Sequence, residues 1–219
     1  MVDLIHGITA ERVRANLERV RDQIAATGRD PTGVEILAAV KYLPVGELEA
    51  LADGGITVVG ENRAQELAAK ADALPGRFTW DFIGQLQSRK VRDVLPYVRY
   101  IHSVASDSVL AQLGRHGTAD TEVMIEVNVA GEAGKGGIAP AELPAFLERC
   151  PVTVVGLMTM PPLARRPDDN RPHFASLRRL ADRYGLRHLS MGTSQDYVVA
   201  VQEGATIVRL GTILYASAP

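Results

Sequence analysis

Apolar residues in this chain cluster in short continuous runs. The stretches between them carry apolar residues every three or four positions. The runs are VEILAAVKY (34–42), ITVVGEN (56–62), FTWDFIG (78–84), VRYIHSV (98–104), TEVMIEVNV (121–129), VTVVGLMTM (152–160), LRHLSMG (186–192) and TIVRLGTILY (206–215). Most are rich in Val and Ile and do not alternate with polar residues. Strands covered on both faces of a parallel sheet read this way. The intervening segments VGELEALADG, RAQELAAKADAL, SRKVRDVL, SDSVLAQLGRHG, PAELPAFLERC, RPHFASLRRLADRYG and SQDYVVAVQEG carry helical spacing. Gly54, Gly55, Gly117, Gly185 and Gly204 stand where those helices should stop. Alternation of strand and helix predicts parallel βα units.

Eight such units in this length predict a single α/β domain over residues 1–219, a TIM-type (β/α)8 barrel with an extra N-terminal helix. An open doubly wound sheet is the alternative. Two details favour closure. Val13, Leu17, Val20 and Ile24 form a helical stripe before the first strand, with Thr9 as its N-cap. The chain ends at TILYASAP, which leaves no room for a helix after the eighth strand, so the N-terminal helix is expected to cover the wall there. PPLARRPDDNRP (161–172) reads as a long loop after the sixth strand.

Composition narrows the class. The 219 residues are 46% hydrophobic and 23% charged, with a formal net charge of −2, so no basic excess points to nucleic acid or a membrane surface. No apolar run approaches the about 20 residues of a membrane span. The start, MVDLIHGITAERV, lacks the basic and apolar regions of a signal peptide. A soluble, cytoplasmic protein is expected. The one cysteine, Cys150, excludes an internal disulfide framework and reads as a small buried hydrophobe. The five histidines show no ligand spacing, so no metal site is expected.

In a (β/α)8 barrel, functional groups gather at the C-terminal ends of the strands and in the loops beyond. That rule selects Lys41, Asn62, Gln85, Gln87, His102, Ser103, Asn128, the methionines at 158 and 160, SMGTS (190–194), Arg209, Gly211 and Thr212. Ser190, Gly192 and Ser194 are expected to open a helix beside Gly211 and Thr212, where amides and hydroxyls would form an anion site. Turn residues and a helix cap explain the same letters. Lys41 ends an apolar run, and from the barrel mouth its amine would reach an aldehyde on a phosphorylated cofactor. A snorkelling lysine paired with Glu61 is the alternative. GEAGKGGI (131–138) is not a P-loop and reads as a mobile loop at the mouth, with Lys135 solvated.

Eight motifs occur in order: AAVKYLP, VVGENRAQEL, WDFIGQLQSRK, IHSVAS, VNVAGEAGKGGI, GLMTMPP, LSMGTSQD and VRLGTILY. Together they resemble the pyridoxal phosphate homeostasis proteins, whose fold is like the N-terminal barrel of alanine racemase. The resemblance implies pyridoxal 5'-phosphate as cofactor, with Lys41 as its Schiff-base lysine. It implies that Ser190, Gly192, Ser194, Gly211 and Thr212 hold the phosphate, that Arg209 sits at the pyridine nitrogen, and that Asn62 lies beside the ring. A carrier that buffers the cofactor or delivers it to apoenzymes, without appreciable catalysis and as a monomer, is expected. The alternative is an amino acid racemase. In alanine racemases an acid/base tyrosine from a second domain of the partner subunit faces the lysine, and no second domain is expected here. The chain departs from the family pattern at Tyr42, where threonine is frequent, at Arg89, where asparagine is usual, and at Thr193, where methionine is common. It also lacks the family's usual tail.

Overall fold

In the computed structural model, which describes residues 4–215, eight strands close into a barrel. They are β1 (Glu35–Ala39), β2 (Val58–Glu61), β3 (Thr79–Phe82), β4 (Tyr100–Val104), β5 (Glu122–Glu126), β6 (Thr153–Met158), β7 (His188–Thr193) and β8 (Ile207–Leu210). Each is parallel to its sequence neighbour. The last pairs with the first, Glu35 opposite Ile207 through Ala38 opposite Leu210. That pairing excludes the open sheet. The strands are only four to six residues long, shorter than the apolar runs that announced them. The runs outlast the strands because residues just past each end stay in the core while the backbone turns; Val40, Leu43 and Val127 are all buried there.

The helices are α1 (Ala10–Ala25), α2 (Leu48–Asp53), α3 (Ala64–Ala73), α4 (Val91–Val94), α5 (Asp107–His116), α6 (Leu143–Arg149), α7 (Arg171–Arg183), α8 (Tyr197–Gln202) and α9 (Thr212–Tyr215). Thr9 caps α1 by accepting from the Arg12 amide, and the buried face of the helix is Val13, Asn16, Leu17, Val20 and Ile24. Two apolar clusters result. Leu37, Val58, Tyr100, Met124, Val155, Met158 and Ile207 fill the barrel interior. A larger one lies between strands and helices. Each fully buried aliphatic or aromatic side chain contributes about 1.5–3 kcal/mol of transfer free energy.

One expectation fails here. A helix does follow the eighth strand: α9 is a single turn, with Leu214 and Tyr215 buried. Its four residues are too few to show a helical period in the sequence. The wall beside β8 is therefore shared, α1 packing on α2, α8 and α9, with Asn16 Nδ2 donating to the Leu214 carbonyl at 3.1 Å. Residues 216–219, on which the expectation about the tail falls, lie outside the described residues. Cys150 caps α6 at the expected helix–strand junction but is half-buried rather than buried. Among the described residues, no helix is long and apolar enough to cross a membrane.

Candidate functional site

The C-terminal mouth of the barrel holds a cavity of about 560 Å3. Six of the eight predicted site residues line it: Lys41, Asn62, Ser194, Arg209, Gly211 and Thr212. Ser190 and Gly192 do not. The reason is local. β7 does not give way to a helix at residue 190; it runs on to Thr193, and α8 begins only at Tyr197. The pairing of β7 with β8 shifts register between Ser190 and Thr193, which breaks the alternation of facing. Ser190 points into the barrel and is fully buried. Gly192, at φ +93°, faces α8, and a Cβ there would lie 2.6 Å from that of Ala200. Thr193 and Gln195 take their places at the cavity wall. Asp196 Oδ1 holds this turn, accepting from the Thr193 amide at 2.7 Å and its hydroxyl at 3.0 Å. Ser194 Oγ accepts from the Gly211 amide at 3.1 Å, which brings the exits of β7 and β8 together.

Lys41 stands two residues past β1, exposed, with its ammonium 4.5 Å from the Tyr42 ring centroid. Among the described residues it makes no ion pair. Glu61, the partner that a snorkelling lysine would need, is bound to Lys70 instead, at 2.5 Å. Asn62 follows β2, and its side-chain oxygen is buried at the cavity without a hydrogen-bond partner among the described residues. The other residues chosen for their positions serve varied ends. Gln85 and the methionines at 158 and 160 line the cavity. Gln87 accepts from Arg89 at 3.1 Å, Ser103 donates to the Gly84 carbonyl, and Asn128 closes the turn onto Glu132. Lys135 pairs with Glu132 at 3.0 Å in the glycine-rich loop.

Arg209 rises from β8 and is almost wholly buried, with no carboxylate within ion-pair distance among the described residues. Burial lowers its pKa to about 10, against the pull of Glu126 and Asp196, so it remains a cation at neutral pH. Its Nη1 donates to Ser190 Oγ at 2.6 Å and its Nη2 to the Thr159 carbonyl at 2.9 Å. Behind it runs a polar line through the barrel. Ser190 Oγ lies 2.8 Å from His102 Nδ1, and His102 Nε2 lies 3.1 Å from Asp81. Asp81 in turn shares Arg99 with Glu35. Burial pushes the Asp81 carboxyl up, but hydrogen bonds from His102 and Arg99 outweigh this and hold it below the ordinary range. Burial keeps His102 below the ordinary imidazole value and hence neutral. Arginine only donates, so the Ser190 hydroxyl proton goes to Nδ1 and the imidazole proton on Nε2 goes to Asp81. All donation thus runs from Arg209 towards Asp81, which fixes the guanidinium plane.

Comparison with known proteins places this arrangement. The family model described as "Alanine racemase, N-terminal domain" matches residues 8–219. A pyridoxal phosphate homeostasis protein of Aquifex aeolicus is 39% identical over 219 residues, covering 94% of this chain and 96% of the relative. The chain belongs to the pyridoxal phosphate homeostasis proteins of this family. Solved structures above 30% identity share its barrel. A crystal structure of a protein of unknown function from Bifidobacterium adolescentis has TM-score 0.87 and 33% identity, covering 98% of both chains. PipY of Synechococcus elongatus, solved with PLP bound, has TM-score 0.75 and 31% identity, covering 90% of this chain and 100% of that one.

Not every group at the mouth was singled out from the sequence. Glu126 at the end of β5, Tyr215 of α9 and Gly84 beyond β3 also line the cavity. Glu126 had a signal in the sequence: it is a charge inside an apolar run, the same anomaly that singled out Lys41. Burial pushes its carboxyl up, against the pull of Arg209. A carboxyl raised in the folded state contributes stability that is present below its unfolded pKa of about 4.3 and is lost as pH rises through the folded value. Glu126→Gln should therefore melt a few degrees higher than the parent at neutral pH, since about 1 kcal/mol moves the midpoint about 2–4 °C at this size. The gain should vanish as pH falls towards 4. Thermal melts across that range check it; a gain independent of pH would mean that the charge is not its source.

Proposed function

We propose that this chain is a pyridoxal 5'-phosphate carrier. In this reading Lys41 holds the cofactor covalently, the exits of β7 and β8 hold its phosphate, and the protein buffers it or delivers it to apoenzymes. The cofactor supplies an aldehyde that a lysine amine captures. One observation carries the reading: a single cavity brings together an amine, a buried guanidinium and an amide oxygen that have, among the described residues, no counter-ion, no carboxylate and no hydrogen-bond partner respectively, beside open space at a glycine. The residues fit the group. Lys41 supplies the amine, Asn62 Oδ1 is free to accept, Arg209 donates, and Ser194, Gly211 and Thr212 border the space for an anion. Ser190 supports Arg209 from behind rather than touching phosphate, and Gly192 allows the turn.

Arg209 favours holding over turnover. It stays protonated near neutrality and can only donate, so a pyridine nitrogen facing it remains unprotonated. That weakens the electron sink on which amino acid chemistry depends. A racemase reading has one observation in its favour: Glu126 ends β5, which lies opposite β1 in an eight-strand barrel, and so presents a titratable group across the cavity from Lys41. Incubation of cofactor-loaded protein with each common amino acid in deuterated water separates the two. The carrier shows no appreciable α-proton exchange by NMR. Exchange with inversion, lost in Lys41→Ala, would replace the carrier by the racemase.

A further inference from the structure

A fully buried lysine lies one layer behind the cavity. Lys70, on α3, is 2% exposed. Its ammonium sits 2.5 Å from Glu61 Oε2 and donates to the Val40 carbonyl at 2.9 Å. Glu61 ends β2 and is also fully buried. Its other oxygen accepts from the amides of Asn62 at 2.6 Å and Arg63 at 3.3 Å. Val40 immediately precedes Lys41, and its own amide donates to Gly60 at 3.0 Å. The residue before it is held too, the Tyr215 hydroxyl donating to the Ala39 carbonyl at 2.9 Å.

We infer that Lys70 and Glu61 are positioning residues for Lys41, joining the turn that carries the lysine to the turn that carries Asn62. A buried ion pair is a poor way to stabilise a fold, because desolvation of both charges offsets their attraction, and apolar replacements of similar volume are often neutral or better. Position 70 lies beside Leu67 on the buried face of α3, where methionine or leucine would pack. What an apolar side chain cannot do is hold a carbonyl. The Val40–Lys41 peptide sets the direction in which Lys41 leaves the backbone, and the Glu61–Asn62 peptide does the same for Asn62. Both peptides end on the same ion pair. A displacement of about 1 Å in a reacting group costs up to about 100-fold in rate, so a fixed peptide before Lys41 governs how fast the amine meets an aldehyde.

The inference rests on Lys41 as the attachment lysine, and the test keeps the two apart. Lys70→Met with Glu61→Gln removes both charges, conserves volume and leaves an amide oxygen for the Asn62 amide. Pyridoxal 5'-phosphate is added to parent and double variant. Attachment is followed by stopped-flow absorbance, the pH midpoint of the bound cofactor's absorbance is titrated, and the borohydride-reduced peptide is mapped. The expected double variant melts within a few degrees of the parent and is still labelled at Lys41. It attaches at least about tenfold more slowly, and its absorbance midpoint is displaced. A pair that only supported the fold would leave that midpoint unmoved. An unchanged rate and midpoint in the folded variant would overturn the inference. If the double variant does not fold, Glu61→Gln alone is read in the same way; failure of both to fold would assign the pair to folding and overturn the positioning role. A parent labelled elsewhere than Lys41 would overturn the carrier assignment itself.

Discussion

Lys41→Ala should fold like the parent and lose all covalent hold on pyridoxal 5'-phosphate. The side chain is exposed and makes no ion pair among the described residues; its ammonium lies 4.5 Å from the Tyr42 ring centroid, a cation–π approach. Such a contact at an exposed site contributes about 0.5–1 kcal/mol, so the melting midpoint should fall by a few degrees at most. The visible band formed on adding cofactor to the parent should be absent, and borohydride should label no peptide. Non-covalent affinity should persist through Arg209 and the phosphate-side loops, weakened at least about tenfold, or about 1.4 kcal/mol. Other lysines near the mouth are poor substitutes. The Lys70 ammonium is buried and bonded to Glu61 and Val40, and Lys135 is paired with Glu132. Borohydride label on either of them in the unaltered protein would defeat the assignment.

The architecture was largely legible because its signal is local. Continuous Val- and Ile-rich runs mark strands buried on both faces, and Val13, Leu17, Val20 and Ile24 alone specify the buried stripe of α1. Closure was less legible, since the pairing of β1 with β8 joins residues at opposite ends of the chain. Strand ends were overrun because burial outlasts the strand: Leu43 is buried although the chain has already turned at Lys41 and Tyr42. The missed α9 is too short to show a helical period. Its place is set by contacts with α1, such as the bond from Asn16 to Leu214, that no window of sequence contains.

At the mouth, legibility followed incongruity. Lys41 and Arg209 are charges in apolar runs, and both line the cavity. SMGTS did not reveal its local structure, because serine and glycine serve caps, turns and anion sites alike. Which of them Ser190 serves is decided by a register shift against β8 and by a line of donors from Arg209 to Asp81. Lys70 was illegible for the opposite reason. In AQELAAKADA it is one charge among several on a helix, and only the packing of α3 against the barrel shows that it faces inwards.

Gly211→Val should leave the barrel folded and remove its preference for a phosphorylated ligand. A Cβ at Gly211 would meet no atom within 4 Å, so the backbone tolerates the side chain. The space it would fill belongs to the cavity, between Ser194 and Thr212. Gly192→Val makes the contrast: at φ +93°, with Ala200 2.6 Å from the new Cβ, it should damage the fold instead. Hydroxyl deletions should do less than Gly211→Val. Ser194→Ala and Thr212→Ala each remove one donor from a site where backbone amides remain, a loss of about 1 kcal/mol, larger where a charged acceptor is involved. In Ser194→Ala the freed Gly211 amide, which donates to Ser194 Oγ at 3.1 Å, becomes available to an anion and limits the loss further. The measurement is a pair of titrations, pyridoxal 5'-phosphate against pyridoxal, on parent and variants. The parent should favour the phosphorylated form strongly, the hydroxyl variants slightly less, and Gly211→Val not at all, with its thermal midpoint near the parent's. Equal binding of the two ligands by the parent would mean that the exits of β7 and β8 hold no phosphate, and the site would have to be redrawn around Lys41 and Arg209 alone.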